Sequence, residues 1–399
     1  MNNDTTEFNF LLEVCKISIS PNKNDTALNI YPPKNINWEK VLKLANSHRV
    51  RPLLFLGLRK CKNQEIFPTN LMERLKALSF QITTRNLIQT KELVRLFQLF
   101  KKHNINVIPY KGVILAKEAY QNLGAREFSD LDLLIDQKDF KKVKQILLEE
   151  KYQWMSIIRE NMEAKYFSTH NEHSFHYYQL EKRQYAIDLH WFLCAKFHQL
   201  AMDFEMVKPM ICLNKDSQLN LPTLSPEGLL LTTCIHHFGK DQSYSLRNVC
   251  DIAAILMRDD LEINWELLMT TAQKWKIKNI LGLGIGVACT LFPIKVPETV
   301  QSLLQSKKLK HHIDQHVKMM RRDKHNFNGS IKYFTYPLVL HLSLREHFST
   351  KIKIIYHFLL FLILPTSRDL EQNPNANYWY LLIKKPFRLG QKYIFSGKN

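Results

Sequence analysis

The sequence has few cysteines for its length, and none of them lies in a pattern that binds metal or builds a disulfide framework. Its 399 residues contain seven Cys, which are widely spaced and never form a CxxC pair. An odd number of isolated cysteines is typical of small buried residues in a reducing compartment. This pattern argues against a zinc knuckle and against a secreted disulfide scaffold.

A long uninterrupted apolar run is also missing. The most lipid-like stretch, IIYHFLLFLILP at 354–365, contains His357 and ends at Pro365. It is shorter than the roughly 20 residues that a spanning helix needs. We expect a buried or interfacial helix there and no transmembrane segment. The first residues, MNNDTTEFNFLLEVC, are acidic where a secretory signal is basic, so the sequence predicts a cytoplasmic protein.

Acidic residues are scarce relative to basic ones. The chain has 56 Lys and Arg against 37 Asp and Glu, a formal net charge of +19. Such an excess favours phosphate-bearing partners such as nucleotides, RNA or an anionic membrane surface. The basic residues are scattered and form no single tract, so a lysine-rich surface without a specific partner is an equally open interpretation.

The spacing of apolar residues divides the chain into helical, α/β and helical parts. We predict an N-terminal helical region at 1–103, an α/β core at 104–195, a helical domain at 196–300 and a basic helical region at 301–399. Strands alternate with helices only in the second part. The predicted fold class is therefore α+β, with a small sheet flanked by helical regions.

Several local features can be predicted from particular residues. Asn37 and Ser225 are expected to cap helices, with Pro226 at the first helical position of the second one. HSFHYYQLE and RQYAIDLHWF are expected to form two strands joined by a charged turn at 181–183. GLGIG at 282–286 follows no strand and lies in an apolar helical run, so it predicts close helix contacts instead of a nucleotide-binding loop.

Two carboxylates, Asp130 and Asp132, interrupt the otherwise apolar stretch DLDLLID. In a strand, side chains two residues apart point to the same face and lie about 7 Å apart. Such a pair of anions repels itself unless a cation lies between them. Magnesium prefers oxygen ligands and usually binds through one or two carboxylates plus substrate phosphates. The pair therefore predicts a Mg²⁺ or Mn²⁺ site beside a nucleoside triphosphate (NTP).

The stretch QYAIDLHW places a second pair of polar residues, Asp188 and His190, on one face of a strand, because Ile187 and Leu189 alternate with them. If this strand lies beside the first, Asp188 completes a three-carboxylate site for two metal ions. One ion would activate an attacking hydroxyl and the other would steady the leaving phosphate. His190 has two open interpretations, ligand binding and a structural bond to a carboxylate.

Lys111 and Gly112 mark a turn from a strand into a helix before the carboxylates. Glycine permits close approach of the backbone, and a helix N-terminus favours phosphate. Lys111 would add a point charge for the triphosphate. Arg126, four residues before Asp130, is a further phosphate-binding candidate, although a loop arginine is more often a surface charge.

The helices after the core carry a second polar group of residues, His236, His237, Asp241, Arg247 and Asp251. Adjacent histidines on a helix diverge by about 100°, so at most one of the two can face the site. We favour a packing or capping role for this group over acceptor binding.

The stretch VIPYKGVILAKEAYQNLGAREFSDLDLLID, together with AIDLHW, resembles the uncharacterised bacterial nucleotidyltransferase family of the polymerase-beta-type superfamily, over 36–300. The superfamily shares a strand, a Gly-containing turn into a helix, Asp-x-Asp on the next strand and a later acidic residue. The resemblance implies a small mixed-sheet nucleotidyltransferase core, a divalent-metal requirement and an NTP donor such as ATP. Lys111-Gly112-Val113 replaces the usual Gly-Gly or Gly-Ser, and Lys111 is the expected substitute for the missing phosphate-binding serine.

The sequence thus predicts an enzyme that moves a nucleoside monophosphate (NMP) from an NTP to an acceptor hydroxyl and releases pyrophosphate. Asp130, Asp132 and Asp188 would be the metal ligands and catalytic residues, and Lys111, Gly112, Arg126 and His190 would line the nucleotide site. The acceptor stays open between RNA, a small molecule, a peptide and a protein hydroxyl. Two alternatives are a nucleotide-binding regulator without turnover and a basic protein that binds RNA or a membrane surface.

Overall fold

The computed structural model describes residues 4–20, 29–155, 167, 170–194, 200, 202–213, 219, 221–240, 244–321, 331–345, 347–364 and 378–390. Four helices precede the sheet: α1 (Asp4–Ile19), α2 (Trp38–Ser47), α3 (Arg51–Lys60) and α4 (Thr69–Lys102). The central part contains β1 (Val107–Pro109), α5 (Gly112–Glu118), β2 (Leu131–Ile135), α6 (Phe140–Glu149), β3 (Gln153–Trp154), β4 (Glu172–Gln179) and β5 (Lys182–His190).

The part of the chain after the sheet is largely helical. It contains α7 (Phe204–Val207), β6 (Ile211–Leu213), β7 (Pro222–Leu224), α8 (Pro226–Cys234), a π-helical segment (Ile235–Lys240), α9 (Leu246–Leu256), α10 (Trp265–Lys274), α11 (Lys278–Leu291), α12 (Glu298–Leu304), α13 (Lys307–Met320), α14 (Ile331–Leu344), α15 (Phe348–Ile363) and α16 (Tyr378–Gly390). Short 3-10 turns lie at Gln64–Ile66, Gln137–Asp139 and Lys208–Met210.

The two predicted N-caps are confirmed. The Asn37 side chain accepts a hydrogen bond from the Lys40 backbone N–H at the start of α2. Ser225 accepts one from the Gly228 N–H at the start of α8, whose first residue is the predicted Pro226. Each cap satisfies a backbone donor that has no partner within its own helix.

The central sheet has five strands in the order β1-β2-β5-β4-β3. Strands β2 and β5 are parallel, whereas β1 pairs with β2, β4 with β5 and β3 with β4 in the antiparallel sense. A second, two-stranded sheet is formed by β6 and β7. A mixed sheet with helical regions before and after it confirms the predicted α+β class.

The prediction of a turn at 181–183 between β4 and β5 is wrong for its last two residues. Lys182 and Arg183 belong to β5, and the turn consists of Leu180 and Glu181, with φ angles of 49° and 60°. Two consecutive residues with positive φ are what a type I′ hairpin turn requires, and its twist matches that of the strands it joins. Leu180, an unusual turn residue, is 90% exposed.

The sheet separates two apolar cores, and this separation fixes the direction of its polar side chains. Leu131 and Leu133 of β2, with Ile187 and Leu189 of β5, belong to a core that they share with α4 and α6. Leu134 belongs to the larger core on the opposite face, which the other helices dominate. Because side chains alternate along a strand, the polar positions of β2 and β5 face these helices.

The three glycines of GLGIG lie inside α11, as the sequence predicts, and sit at close contacts between helices. A Cβ atom on Gly282 would lie 2.7 Å from Leu309 Cδ2, and one on Gly286 would lie 2.2 Å from Ile313 Cδ1. On Gly284 it would meet Cys234 Sγ at 2.7 Å. These glycines therefore allow α11 to pack tightly in the larger core.

Among the described residues, no helix is both long enough and apolar enough to cross a bilayer.

Candidate active site

Asp132 and Asp188 are direct partners across the parallel pairing of β2 and β5. Adjacent strands lie about 4.8 Å apart, and partnered residues in a parallel pair point to the same face of the sheet. Asp130 lies immediately before β2, two residues from Asp132. The structure thus brings the three predicted carboxylates together on the face of the sheet opposite the core that it shares with α4 and α6.

The carboxylate of Asp132 is held by two basic side chains. The Lys111 ammonium forms an ion pair with Asp132 Oδ1, and His190 Nε2 lies 3.0 Å from the same oxygen. Burial alone would raise the pKa of this carboxyl, but Lys111 and His190 hold it well below its usual range. Asp132 is therefore ionised and fixed in position.

His190 connects Asp132 to a further carboxylate, Glu172 at the start of β4. The imidazole is fully buried, and its Nδ1 lies 2.9 Å from Glu172 Oε2. Lys240 of the π-helical segment forms an ion pair with the same glutamate. Although burial opposes protonation, Glu172 and Asp132 raise the pKa of His190 above its usual value. Tyr110 packs edge-on against the ring, with the ring centroids 5.3 Å apart.

Asp188 lies in a different electrostatic environment from its strand partner. Ser174, opposite it on β4, donates a hydrogen bond of 2.6 Å to Asp188 Oδ1. Burial and the neighbouring Asp132 raise the pKa of Asp188 to about 6. Burial and Asp132 likewise raise the pKa of Asp130, against the opposing effect of Lys111. Two of the three carboxylates thus experience the repulsion expected of a cluster of anions.

Gly112 allows the turn before α5 to lie against the carboxylates. Its φ of +37° is one that residues with a side chain rarely adopt. A Cβ atom there would lie 3.3 Å from the backbone oxygen of Asp130. Lys111 is the residue directly before α5. The glycine therefore brings Lys111 beside the loop that ends in Asp130.

The Arg126 guanidinium forms a buried double hydrogen bond with Asp251 of α9, at 2.9 Å and 3.0 Å. Tyr120 and His237 also contact the Asp251 carboxylate, at 2.8 Å and 2.9 Å. Burial alone would raise the pKa of Asp251, but Arg126 and His237 hold it well below its usual range. Arg126 thus joins the loop before β2 to α9, and its phosphate-binding role stays a prediction.

The same loop is fixed at its other side by residues of the N-terminal helices. Asn86 of α4 donates hydrogen bonds of 2.6 Å and 2.8 Å to the backbone oxygens of Leu123 and Arg126. Arg51 pairs with Glu127 through two side-chain hydrogen bonds. These contacts hold the backbone that positions Asp130.

The two adjacent histidines of the π-helical segment interact with different carboxylates. His237 contacts Asp251, whereas His236 lies near enough to Asp132 to lower the pKa of that carboxyl. Arg247 of α9 likewise lowers the pKa of Asp130. Asp241, assigned to the same group from the sequence, lies outside the described residues.

Three polar residues at the site were not identified from the sequence: Glu172, Ser174 and Lys240. Glu172 and Ser174 alternate with the buried His173 and Phe175, so their two-residue spacing could have indicated that both side chains point to the same face. The predicted strand began at His173 and left Glu172 outside it. Lys240 had no sequence signal, because its position depends on the path of the π-helical segment.

The carboxylates on this face are of the ligand type that a hard divalent cation prefers. Asp130, Asp132 and Asp188 offer oxygen ligands, and the raised pKa values of Asp130 and Asp188 reflect negative charge that a cation would neutralise. In the part of the chain that the structure describes, no group of three or more His, Cys, Asp or Glu is arranged to hold a metal ion by itself. Magnesium does not require such a cage, since it usually binds through one or two carboxylates and substrate phosphates.

Comparison with known proteins identifies one family. The family model described as "Uncharacterised nucleotidyltransferase" matches residues 34–293, more than half of the chain. No curated protein and no solved structure matches the sequence. The matched residues include the whole central sheet and extend through α11.

Proposed function

The chain belongs to this family of nucleotidyltransferases, and we propose that it transfers an NMP from an NTP such as ATP to an acceptor hydroxyl in a metal-dependent reaction. The observation that carries this proposal is the register of the parallel strands, in which Asp132 lies opposite Asp188. Asp130 beside them makes a third carboxylate on the same face. This arrangement supports a site for cations and triphosphate.

Asp130, Asp132 and Asp188 would hold the Mg²⁺ or Mn²⁺. When bound, the metal would neutralise phosphate charge and make the acceptor hydroxyl a better nucleophile. Asp132 is suited to permanent ligation because Lys111 and His190 keep it ionised. Asp130 and Asp188 repel each other and Asp132, so their contribution would be greatest when a cation is present.

Asp188 is the residue that we assign as proton acceptor. Without metal, burial and Asp132 raise its pKa to about 6, so its carboxylate is more basic than that of an ordinary aspartate, and a bound cation would offset part of this rise. The acceptor oxygen would attack the α-phosphorus of the NTP while its proton passes to an Asp188 carboxylate oxygen. The bond from the α-phosphorus to the bridging oxygen would break, and its electron pair would leave with pyrophosphate. Ser174 would hold the carboxylate in place through its hydrogen bond to Oδ1.

Lys111 would bind the triphosphate. Its side chain is buried and pairs with Asp132, so phosphate oxygens entering the site would compete for the same ammonium. Gly112 would permit this approach of the Lys111 backbone to Asp130. Arg126 and Arg247 lie near enough to lower the pKa of Asp130, and they would add positive charge on the same side.

We assign His190 a role exerted through Asp132. The ring is fully buried between Asp132 and Glu172, which supports the structural interpretation over direct contact with a ligand. It would keep the Asp132 carboxylate in one orientation. Because the ring also contacts Glu172, which pairs with Lys240, these two residues would help to fix the position of Asp132.

The direct test is pyrophosphate release. The protein would be incubated with each of the common NTPs, with Mg²⁺ or Mn²⁺, and with separated RNA, protein and small-molecule fractions of a cell extract. We expect one NTP and one fraction to give sustained pyrophosphate release, and we expect Asp132→Asn to abolish it. Absence of release with every NTP, metal and fraction would overturn the proposal.

A further inference from the structure

The exposed side of α15 is apolar along its whole length. Six large side chains on this helix are between 44% and 76% exposed: Phe348, Ile352, Ile355, Tyr356, Leu359 and Ile363. At 3.6 residues per turn, all six lie within an arc of about 100°. Ile354 and Thr350, on the other side of the helix, are buried. The helix therefore packs through one face and presents a continuous apolar face to solvent.

Helix α16 adds a second apolar face of the same kind. Tyr380, Ile383 and Phe387 are between 52% and 73% exposed and follow one side of the helix. Lys385, on the opposite side, donates a hydrogen bond of 2.5 Å to the backbone oxygen of Leu364, directly after α15. This bond joins α16 to the end of α15. We call these nine exposed side chains of α15 and α16 the C-terminal apolar face.

The charged side chains within α15 and α16 are all basic. The sequences of α15 and α16 contain no Asp or Glu. Lys351 and Lys353 lie on the two flanks of the α15 stripe, and Lys384 lies beside the α16 stripe with its Nζ 5.2 Å from the Tyr380 ring centroid. An apolar stripe bordered by lysines is typical of helices that lie in a membrane interface, where the apolar side chains enter the lipid and the ammonium groups reach the head groups.

We propose that the C-terminal apolar face docks on an anionic membrane surface, independently of nucleotidyl transfer at the central sheet. The lysines beside the apolar face complement the negative charge of an anionic membrane, which favours this partner over the others. A second copy of the chain would bring two basic faces together and would be repelled. Five of the nine exposed side chains are aliphatic and offer a base neither hydrogen bonds nor stacking, so lipid would cover this face more completely than RNA would.

Docking on lipid also accords with the dimensions of α15. Its 16 residues span about 24 Å, which is less than the roughly 30 Å of a bilayer core. The helix would lie in the plane of the interface. The apolar residues would provide the burial and the lysines the preference for anionic lipid.

Sedimentation of the full-length protein with vesicles tests this proposal. One set of vesicles would contain phosphatidylcholine alone, and the other phosphatidylcholine with phosphatidylserine. We expect binding to the anionic vesicles, weaker binding to the neutral ones, and a loss of affinity as salt is raised. Lys351→Gln and Lys353→Gln are each expected to weaken binding about fivefold.

The apolar contribution is tested by Ile352→Asp/Leu359→Asp, two exposed positions seven residues apart on α15. We expect this double variant to lose at least about tenfold in affinity. The matched control is Phe80→Asp/Leu87→Asp, which changes two exposed apolar positions seven residues apart on α4 and should bind as the unchanged protein does. Circular dichroism would verify the fold of both.

Three results would overturn the proposal. The first is equal binding to neutral and anionic vesicles, and the second is an equal loss of binding in the α4 control. The third is absence of binding to the anionic vesicles, after which a concentration-dependent dimer or RNA retention that the α15 variant abolishes would identify the other occupant. Pyrophosphate release is measured without vesicles, so failure here is distinguishable from failure of the proposed reaction.

Discussion

Asp132 and Asp188 are direct partners on parallel strands, yet their carboxyl groups have pKa values shifted in opposite directions. Asp132 contacts the Lys111 ammonium and the His190 imidazole. Among the described residues, Asp188 accepts a hydrogen bond from the Ser174 hydroxyl, and burial and the negative charge of Asp132 outweigh the opposing effect of His190. Basic groups therefore compensate the charge of Asp132, whereas the charge of Asp188 is compensated only in part.

Replacing Asp188 by Asn is expected to stabilise the metal-free protein. At neutral pH the substitution removes an only partly compensated negative charge from a largely buried position, and we expect the free energy of unfolding to rise by about 1 kcal/mol. Urea unfolding in the presence of a chelator measures this. The control is Asp132→Asn, which leaves Lys111 and His190 without their partner and should lower the free energy of unfolding by about 3 kcal/mol.

The stabilisation by Asp188→Asn should depend on pH. The pKa of Asp188 is raised in the folded state to about 6, so between the unfolded pKa and this value the folded protein binds more protons than the unfolded one. The contribution of Asp188 to stability therefore falls as pH rises through that window. The difference between the two proteins should be largest above the folded pKa and small near the unfolded one. A difference that does not change with pH would contradict the assignment.

Lys111→Met is expected to weaken NTP binding by about tenfold or more, because a charged hydrogen bond to phosphate is lost. Equilibrium binding of a fluorescent NTP analogue measures the effect. Lys117→Met, within the short helix that Lys111 precedes, is the matched control: Lys117 Nζ lies 3.9 Å from Glu118 Oε1. Equal affinities of the two variants would exclude Lys111 from the triphosphate site.

Asp251→Asn and Arg126→Met separate the structural role of Arg126 from its proposed phosphate contact. Both break the buried pair and should lower the free energy of unfolding by about 3 kcal/mol, as measured by urea unfolding. If Arg126 also binds phosphate, Arg126→Met should lower NTP affinity further than Asp251→Asn does. Identical NTP affinities in the two variants would leave Arg126 with the structural role alone.

Gly112→Ala should impair the site and the fold together. The added methyl group meets a φ of +37° and the backbone oxygen of Asp130 at 3.3 Å, so we expect a loss of roughly 1–2 kcal/mol in the free energy of unfolding. NTP affinity should also fall, because Lys111 and Asp130 would move apart. Thermal unfolding and NTP binding measure the two effects, and an unchanged affinity would show that this turn does not position Lys111.

The alternation of side chains along β2 and β5 allowed the grouping of Asp130, Asp132 and Asp188 to be predicted from the sequence, and the alternation of strands with helices allowed the fold class to be predicted. Ile187 and Leu189 identify the buried face, and the period of two then fixes the direction of Asp188. The caps at Asn37 and Ser225 were equally readable, because each depends on a contact within three residues along the chain.

Long-range pairing was not readable from the sequence. The contact of Arg126 with Asp251 joins residues 125 positions apart, and nothing in the local pattern distinguishes this arginine from one that binds phosphate. The link from His190 to Glu172 and Lys240 depends on the antiparallel register of β4 and on the π-helical segment. Such partners are determined by packing in three dimensions.

The central claim is that the carboxylates of β2 and β5 support transfer of an NMP. The most direct measurement compares two labelled forms of the preferred NTP, one labelled at the α-phosphorus and one at the γ-phosphorus, incubated with Mg²⁺ and cell extract. We predict that only the α-label becomes covalently attached to an acceptor, and that Asp188→Asn, verified as folded, attaches none. Attachment of the γ-label, or equal labelling by Asp188→Asn, would contradict this account.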